Sequence, residues 1–153
     1  DRLISRRNDI GGLVSYARAA GIGLALPYPA AESLISGLDT AWAGFDFDTA
    51  QGDVRAALPR IRTIVLHDFR KDGDRAIPCP LGEGTVDWSG LFSTLAHARF
   101  SGPLTITPNY PAPDRLDAIR RDLDFARKQL NTAYQKELSL FDSTHETNRR
   151  ADQ

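Results

Sequence analysis

Methionine is absent from the 153 residues, and cysteine occurs once. The single cysteine, Cys79, excludes an internal disulfide and a zinc site built from several thiolates. An excess of charge of either sign is also missing. There are 19 Lys and Arg against 20 Asp and Glu, a net charge of −1. Binding to nucleic acid needs a basic face to meet phosphates, so no nucleic-acid partner is expected. No apolar run approaches the roughly 20 residues that span a bilayer, so no membrane partner is expected either. No secretory pattern opens the chain, which leaves the cytoplasm as the default compartment. The chain begins at Asp1 with no Met anywhere. It therefore reads as a piece excised or processed from a longer protein.

What is present is an ordinary domain composition, 41% hydrophobic and 25% charged, enough to bury one core. Ile10, Leu13, Val14 and Ala17 recur at helical spacing and predict a helix over 9–20, with Gly21 as its C-cap. A short apolar strand over 22–26 is stopped by Pro27 and Pro29. A short helix is expected over 30–38. The alternation over 43–48 predicts a second strand. Asp53 can cap a short helix through Leu58, and β-branched residues make 61–67 a third strand. Residues 68–87 read as a long polar loop, a length more often functional than idle. Leu91, Leu95 and Ala98 then predict a helix over 88–98, followed by a fourth strand over 104–107. A long helix is expected from Pro113 to about Leu140, with 141–153 as a polar, frayed tail. Four strand–loop–helix units in succession predict an α/β fold with a parallel sheet and helices outside it.

Within this order, Leu81-Gly82-Glu83-Gly84-Thr85-Val86-Asp87-Trp88 follows a strand that ends in His67-Asp68-Phe69. The pairing resembles the stretch after the seventh strand of the xylose-isomerase-like TIM barrels, which include sugar isomerases and epimerases and apurinic endonucleases. Gly44 to Gln51 also resembles the run Gly-x-x-x-Asp-Thr-x-His of that family, with Gln51 in place of the histidine. The resemblance covers roughly residues 9–130. It implies the C-terminal half, units five to eight, of a parallel (β/α)8 barrel over 1–140. It also implies that an N-terminal half of the same barrel is a partner of this chain.

The resemblance further implies a divalent metal at the C-terminal mouth, held by carboxylates and imidazole from strands five to eight. Such an ion polarises a sugar hydroxyl and carbonyl. Glu of strand five falls on Pro27, Asp of strand six on Asp48, His of strand seven on Val65, and Glu of strand eight on Thr107. Asp48 is thus the one retained ligand position, and the expected general bases are absent. No cofactor is then expected, and no catalytic residue is assigned. An alternative donor set is His67 with Asp48, Asp68 and Asp46, since Val65 and His67 share a strand face about 7 Å apart. His67 can equally be a strand-end imidazole bonded to a loop carbonyl.

By the same alternation Asp46 and Asp48 share a face, as do Thr63 with Val65 and Thr105 with Thr107. A carboxylate below the mouth needs partners, so Asp46 is expected to bond a hydroxyl or amide of a neighbouring strand. Gly82 and Gly84 permit tight turns, and Glu83 and Asp87 are candidate caps for the next helix. Arg70, Lys71 and Arg75 are either solvated cations or a lid facing a sugar phosphate or acid. Cys79, between two prolines, is expected to pack rather than react. Tyr28 and the pair Asn109-Tyr110 are either packing residues or platforms for a sugar ring.

The function expected is that of a sugar isomerase/epimerase-like barrel without metal-dependent catalysis. Its partner would be a small carbohydrate-like molecule, bound through Asp48, Gln51, His67, Asp68 and Arg70 at the mouth where this fold places ligands. One alternative is an active enzyme using Mn, Mg, Co or Zn, with ligands completed by an N-terminal half. Another is a non-enzymatic interaction module. Repair chemistry of the apurinic endonuclease type is disfavoured, because Gln51 and Val65 replace two of its histidines.

Overall fold

The computed structural model describes the backbone of residues 2–151 and the side chains of residues 8–141. The element order is α1 (Arg2–Ala19), β1 (Leu24–Pro27), α2 (Glu32–Ile35), β2 (Ala43–Asp48), β3 (Ile61–Leu66), β4 (Asp68–Asp72), β5 (Arg75–Cys79), α3 (Trp88–His97), β6 (Leu104–Ile106) and α4 (Arg115–Ala151). Residues 1–67 and 102–107 form one compact unit, and residues 68–101 and 108–153 form another.

In the first unit, β1, β2, β3 and β6 make a parallel sheet in that order. All four expected strands are present. Helix α1 starts earlier than position 9 and ends at a Schellman-type cap. Gly21 has φ 71°, and the Ile22 amide donates to the Ala17 carbonyl at 2.8 Å. Val14 and Ala17 are buried, whereas Leu13 is exposed, so the apolar stripe is narrower than its sequence suggests. The expected helix over 30–38 shrinks to α2.

No α-helix joins β2 to β3. Three 3-10 turns, Thr49–Gln51, Val54–Ala56 and Leu58–Arg60, make the connection. Asp53 caps the second of them by accepting from the Arg55 amide at 2.9 Å. The unit that was expected to read strand–loop–helix therefore breaks the pattern here. Pro59 and the competing side chains of Asp48 and Asp53 favour short turns over a continuous ladder.

The strands have one apolar face and one polar face. Phe45, Phe47, Ile64 and Leu66 are buried on the first. Asp46, Asp48, Thr63, Val65, Thr105 and Thr107 alternate with them and remain half-buried or exposed. The register places Pro27 beside Asp46 and Asp46 beside Thr63. In the next row up, Asp48 lies beside Val65 and Val65 beside Thr105. Pro27, Val65 and Thr107 thus share one face, in three successive rows.

In the second unit, the segment expected as a loop contains an antiparallel hairpin, β4 with β5. Gly73, with φ 58°, takes the first position of its two-residue turn, where a positive φ is required. Helix α3 is capped by Asp87, whose side chain accepts from the Gly90 amide at 3.0 Å. Glu83 does not cap it; that carboxylate lies 4.0 Å from Arg121. Helix α4 is capped by Asp114, which accepts from the Leu116 and Asp117 amides. It continues through residues 141–151, the stretch expected to fray. Its small buried residues Ala118, Ala126 and Ala133 let it pack closely on α3, which buries Leu91, Phe92 and Leu95.

Candidate functional site

The polar face of the sheet gathers its chemistry at the C-terminal ends of β2 and β3. Asp48 closes β2, and its Oδ1 accepts from the Ala50 amide at 2.9 Å. Its Oδ2 lies 2.8 Å from Nδ1 of His67, which follows β3. The other ring nitrogen of His67, Nε2, is 3.1 Å from the carbonyl of Thr107, which follows β6. Thr49 locks the backbone of the same residue. Its hydroxyl donates to the His67 carbonyl at 2.6 Å and accepts from the His67 amide at 2.7 Å.

The two partners shift each other. Burial pushes the Asp48 carboxyl up, but hydrogen bonds from His67 and Ala50 pull harder, and it ends below its ordinary value. The hydrogen bond to Asp48 raises His67 above the ordinary imidazole value. Burial opposes this, and the Thr107 carbonyl adds to the rise. One row below, the Thr63 hydroxyl donates to Asp46, the cross-strand partner expected from the alternation. Gln51 is exposed at the end of the turn that follows Asp48.

Asp68 and Arg70 belong to the second unit. Asp68 is buried, at 1% exposure. Its Oδ1 accepts from the Phe69 and Val86 amides, and its Oδ2 from the Gly82 and Gly84 amides and the Trp88 indole, at 2.9–3.2 Å. Two carboxylate oxygens offer about four acceptor directions, so this group is saturated. It orders the loop 81–88 rather than facing a ligand. Arg70 is exposed on the hairpin. Cys79 is buried, and desolvation pushes its thiol up, which suits packing better than nucleophilic attack.

Sequence reasoning missed Thr49 and the cluster around Asp122. Asp122, 1% exposed, accepts from the Tyr110 hydroxyl at 2.7 Å and from the Leu81 amide at 3.3 Å. Arg121 donates to the same hydroxyl at 2.9 Å. Tyr110 is therefore a packing and bonding residue. Tyr28 likewise packs against Phe45 and Phe47, with ring centroids 5.1 and 5.5 Å apart. The signal for Thr49 was its place beside Asp48 at a strand end. Nothing local marks Asp122.

The structure resembles solved sugar epimerases and isomerases. It matches an L-ribulose 3-epimerase with a TM-score of 0.68 at 16% identity, over 88% of this chain and 56% of that one. What the match shows is a fold, an α/β arrangement with a parallel sheet like that in part of a solved xylose-isomerase-like TIM barrel. A xylose isomerase domain protein from Planctomyces limnophilus matches at 0.61 and 21% identity, over 87% of this chain and 54% of that one. The IolI protein, solved with a bound zinc atom, matches at 0.64 and 17%, over 88% and 56%. The chain spans a little over half the length of these structures, and the likeness is one of fold. No family model matches the chain, and no curated protein matches it by sequence.

A xylose-isomerase-like barrel with a metal needs several oxygen and nitrogen donors converging at the strand ends. Here Pro27 and Val65 offer no side-chain donor, and Thr107 offers only a neutral hydroxyl. Among the described residues no group of three or more His, Cys, Asp or Glu converges to hold an ion. Asp48 is engaged through both oxygens, and His67 through both ring nitrogens. The donor set of this chain does not fit a divalent metal. No helix among the described residues is long and apolar enough to cross a membrane.

Proposed function

We propose that this chain forms units five to eight, the C-terminal half, of a xylose-isomerase-like barrel completed by an N-terminal half. The barrel binds a small carbohydrate-like molecule at the mouth and does not carry out metal-dependent isomerisation. The observation that carries this is the engagement of Asp48 by His67 at 2.8 Å, with no second carboxylate at Pro27, Val65 or Thr107.

The polar sheet face supports a neutral ligand. Two carboxylates, Asp46 and Asp48, lie on this face with one imidazole, His67. That balance disfavours phosphates and sugar acids and suits hydroxyls, which donate to carboxylates. Asp48, with Gln51 beyond it and the hydroxyl of Thr107 on the same face, is the ligand-contacting set we assign. His67 holds Asp48 in place.

The test is ligand-observed NMR on the purified protein with unphosphorylated aldoses and ketoses and their phosphates, with and without manganese or cobalt. Neutral sugars should bind, and Asp48→Asn should abolish that binding. No substrate should turn over. Metal-dependent epimerisation that Asp48→Asn removes would sink the proposal.

A further inference from the structure

Strand β2 leaves the sheet at Asp48. The last backbone register between β2 and β3 sets Asp48 beside Val65, and Thr49–Gln51 then turns away as a 3-10 turn. His67 lies past the end of that register. The Thr49 side chain supplies a further rung there. Its hydroxyl donates to the His67 carbonyl at 2.6 Å and accepts from the His67 amide at 2.7 Å. A carbonyl only accepts and a backbone amide only donates, so both roles are fixed. Thr49 is 3% exposed, so this hydroxyl serves the chain and not a ligand. Its β-branch stiffens χ1 and aims the oxygen.

The rung closes a ring of contacts. Asp48 and Thr49 are neighbours, and both grip His67, Asp48 at Nδ1 and Thr49 at the backbone. The Ala50 amide, next in the chain, holds the other Asp48 oxygen at 2.9 Å. We propose that Thr49 is the positioning residue of the carbohydrate-binding mouth. Its hydroxyl sets where His67 sits, and so fixes the one rotamer in which Asp48 meets a ligand hydroxyl. The inference rests on the proposed binding role of Asp48 and adds the buried group that orders it beforehand. A group already ordered loses no side-chain entropy when a ligand arrives.

The test joins geometry to binding. In the unmodified chain, three-bond couplings across the Asp48 Cα–Cβ bond should report one rotamer, and the His67 amide should exchange slowly with deuterated water. Thr49→Val keeps the shape and removes the hydroxyl. It should average the Asp48 couplings, release the His67 amide and weaken binding of D-xylose, L-ribulose or D-fructose about tenfold. Thr49→Ser keeps the hydroxyl and should recover both NMR signatures and most of the affinity. A single Asp48 rotamer or unchanged affinity in Thr49→Val would overturn the proposal. So would a Thr49→Ser that behaves like Thr49→Val. If Thr49→Val does not fold, the unmodified chain still decides: averaged Asp48 couplings or a rapidly exchanging His67 amide would sink the idea. Failure of the unmodified chain to bind any of the three sugars, with its couplings and exchange as expected, would defeat the proposed function and leave the positioning of Asp48 by Thr49 standing.

Discussion

Gly84 approaches the Asp68 carboxylate so closely that a Cβ at residue 84 would overlap it. The loop 81–88 is wound around that buried carboxylate, with backbone amides turned inward. Gly84→Ala should destabilise the protein by about 1–3 kcal/mol, the usual result of overfilling a packed site. Urea denaturation measures it. An unchanged midpoint would mean that the loop moves away at no cost.

Asp68→Asn tests the same anchor from the other side. An amide replaces one accepting oxygen with a donor, which then faces N–H groups. Unsatisfied buried donors cost about 1–3 kcal/mol each, so the loss should reach about 3 kcal/mol. The indole N–H of Trp88, which donates to Asp68 at 2.9 Å, should shift its NMR resonance. An indole signal that stays in place would contradict the assigned bond.

Stability should depend on pH through Asp48 and His67. The raised His67 contributes stability that is complete below its unfolded value of 6.5 and is lost as pH rises through its folded value. The lowered Asp48 contributes stability that is complete above its unfolded value of 3.8 and is lost as pH falls through its folded value. The pair is therefore fully effective between 3.8 and 6.5. The side chains are 18% and 32% exposed, so water screens them only in part. His67→Gln should cost about 1–3 kcal/mol in that window and less above it. Denaturation of both proteins across pH checks the difference; a gap that widens in alkali would be the wrong sign.

Tyr110→Phe removes the hydroxyl that links Asp122 to Arg121. Asp122 is buried and would keep the longer bond from the Leu81 amide and the Arg121 guanidinium at 3.7 Å. The expected cost is about 1–3 kcal/mol, that of a buried acceptor losing a close donor. Burial and the Asp122 bond hold the Tyr110 phenol above its ordinary value. Its ultraviolet titration should lag behind that of an exposed tyrosine, and a normal titration would refute the buried pairing.

Strands β2 and β3 were legible in the sequence because their signal is local. Alternation over Ala43–Asp48 and β-branched residues over Ile61–Leu66 are properties of neighbouring residues. The two-sheet-face arithmetic followed from strand periodicity alone, and the hydroxyl expected to reach Asp46 from a neighbouring strand is that of Thr63. The β4–β5 hairpin was not legible. Its strands are mostly exposed, β4 is charged and β5 carries Pro78, so neither presents an alternating apolar face to read. The short turns after β2 escaped for a related reason. Asp48 and Asp53 each cap a turn that is too brief to leave a helical period.

The sequence by itself determined where the parallel strands fall along the chain, which residues share their polar face, and the lack of carboxylates at Pro27, Val65 and Thr107. Those are matters of residue identity and a period of two. Only the tertiary structure decided that His67 turns its ring to Asp48 and Thr107, 19 and 40 residues away, and that Asp122 lies under Leu81, 41 residues away. Such pairings depend on which strand and helix ends meet in space, and no local preference encodes that meeting.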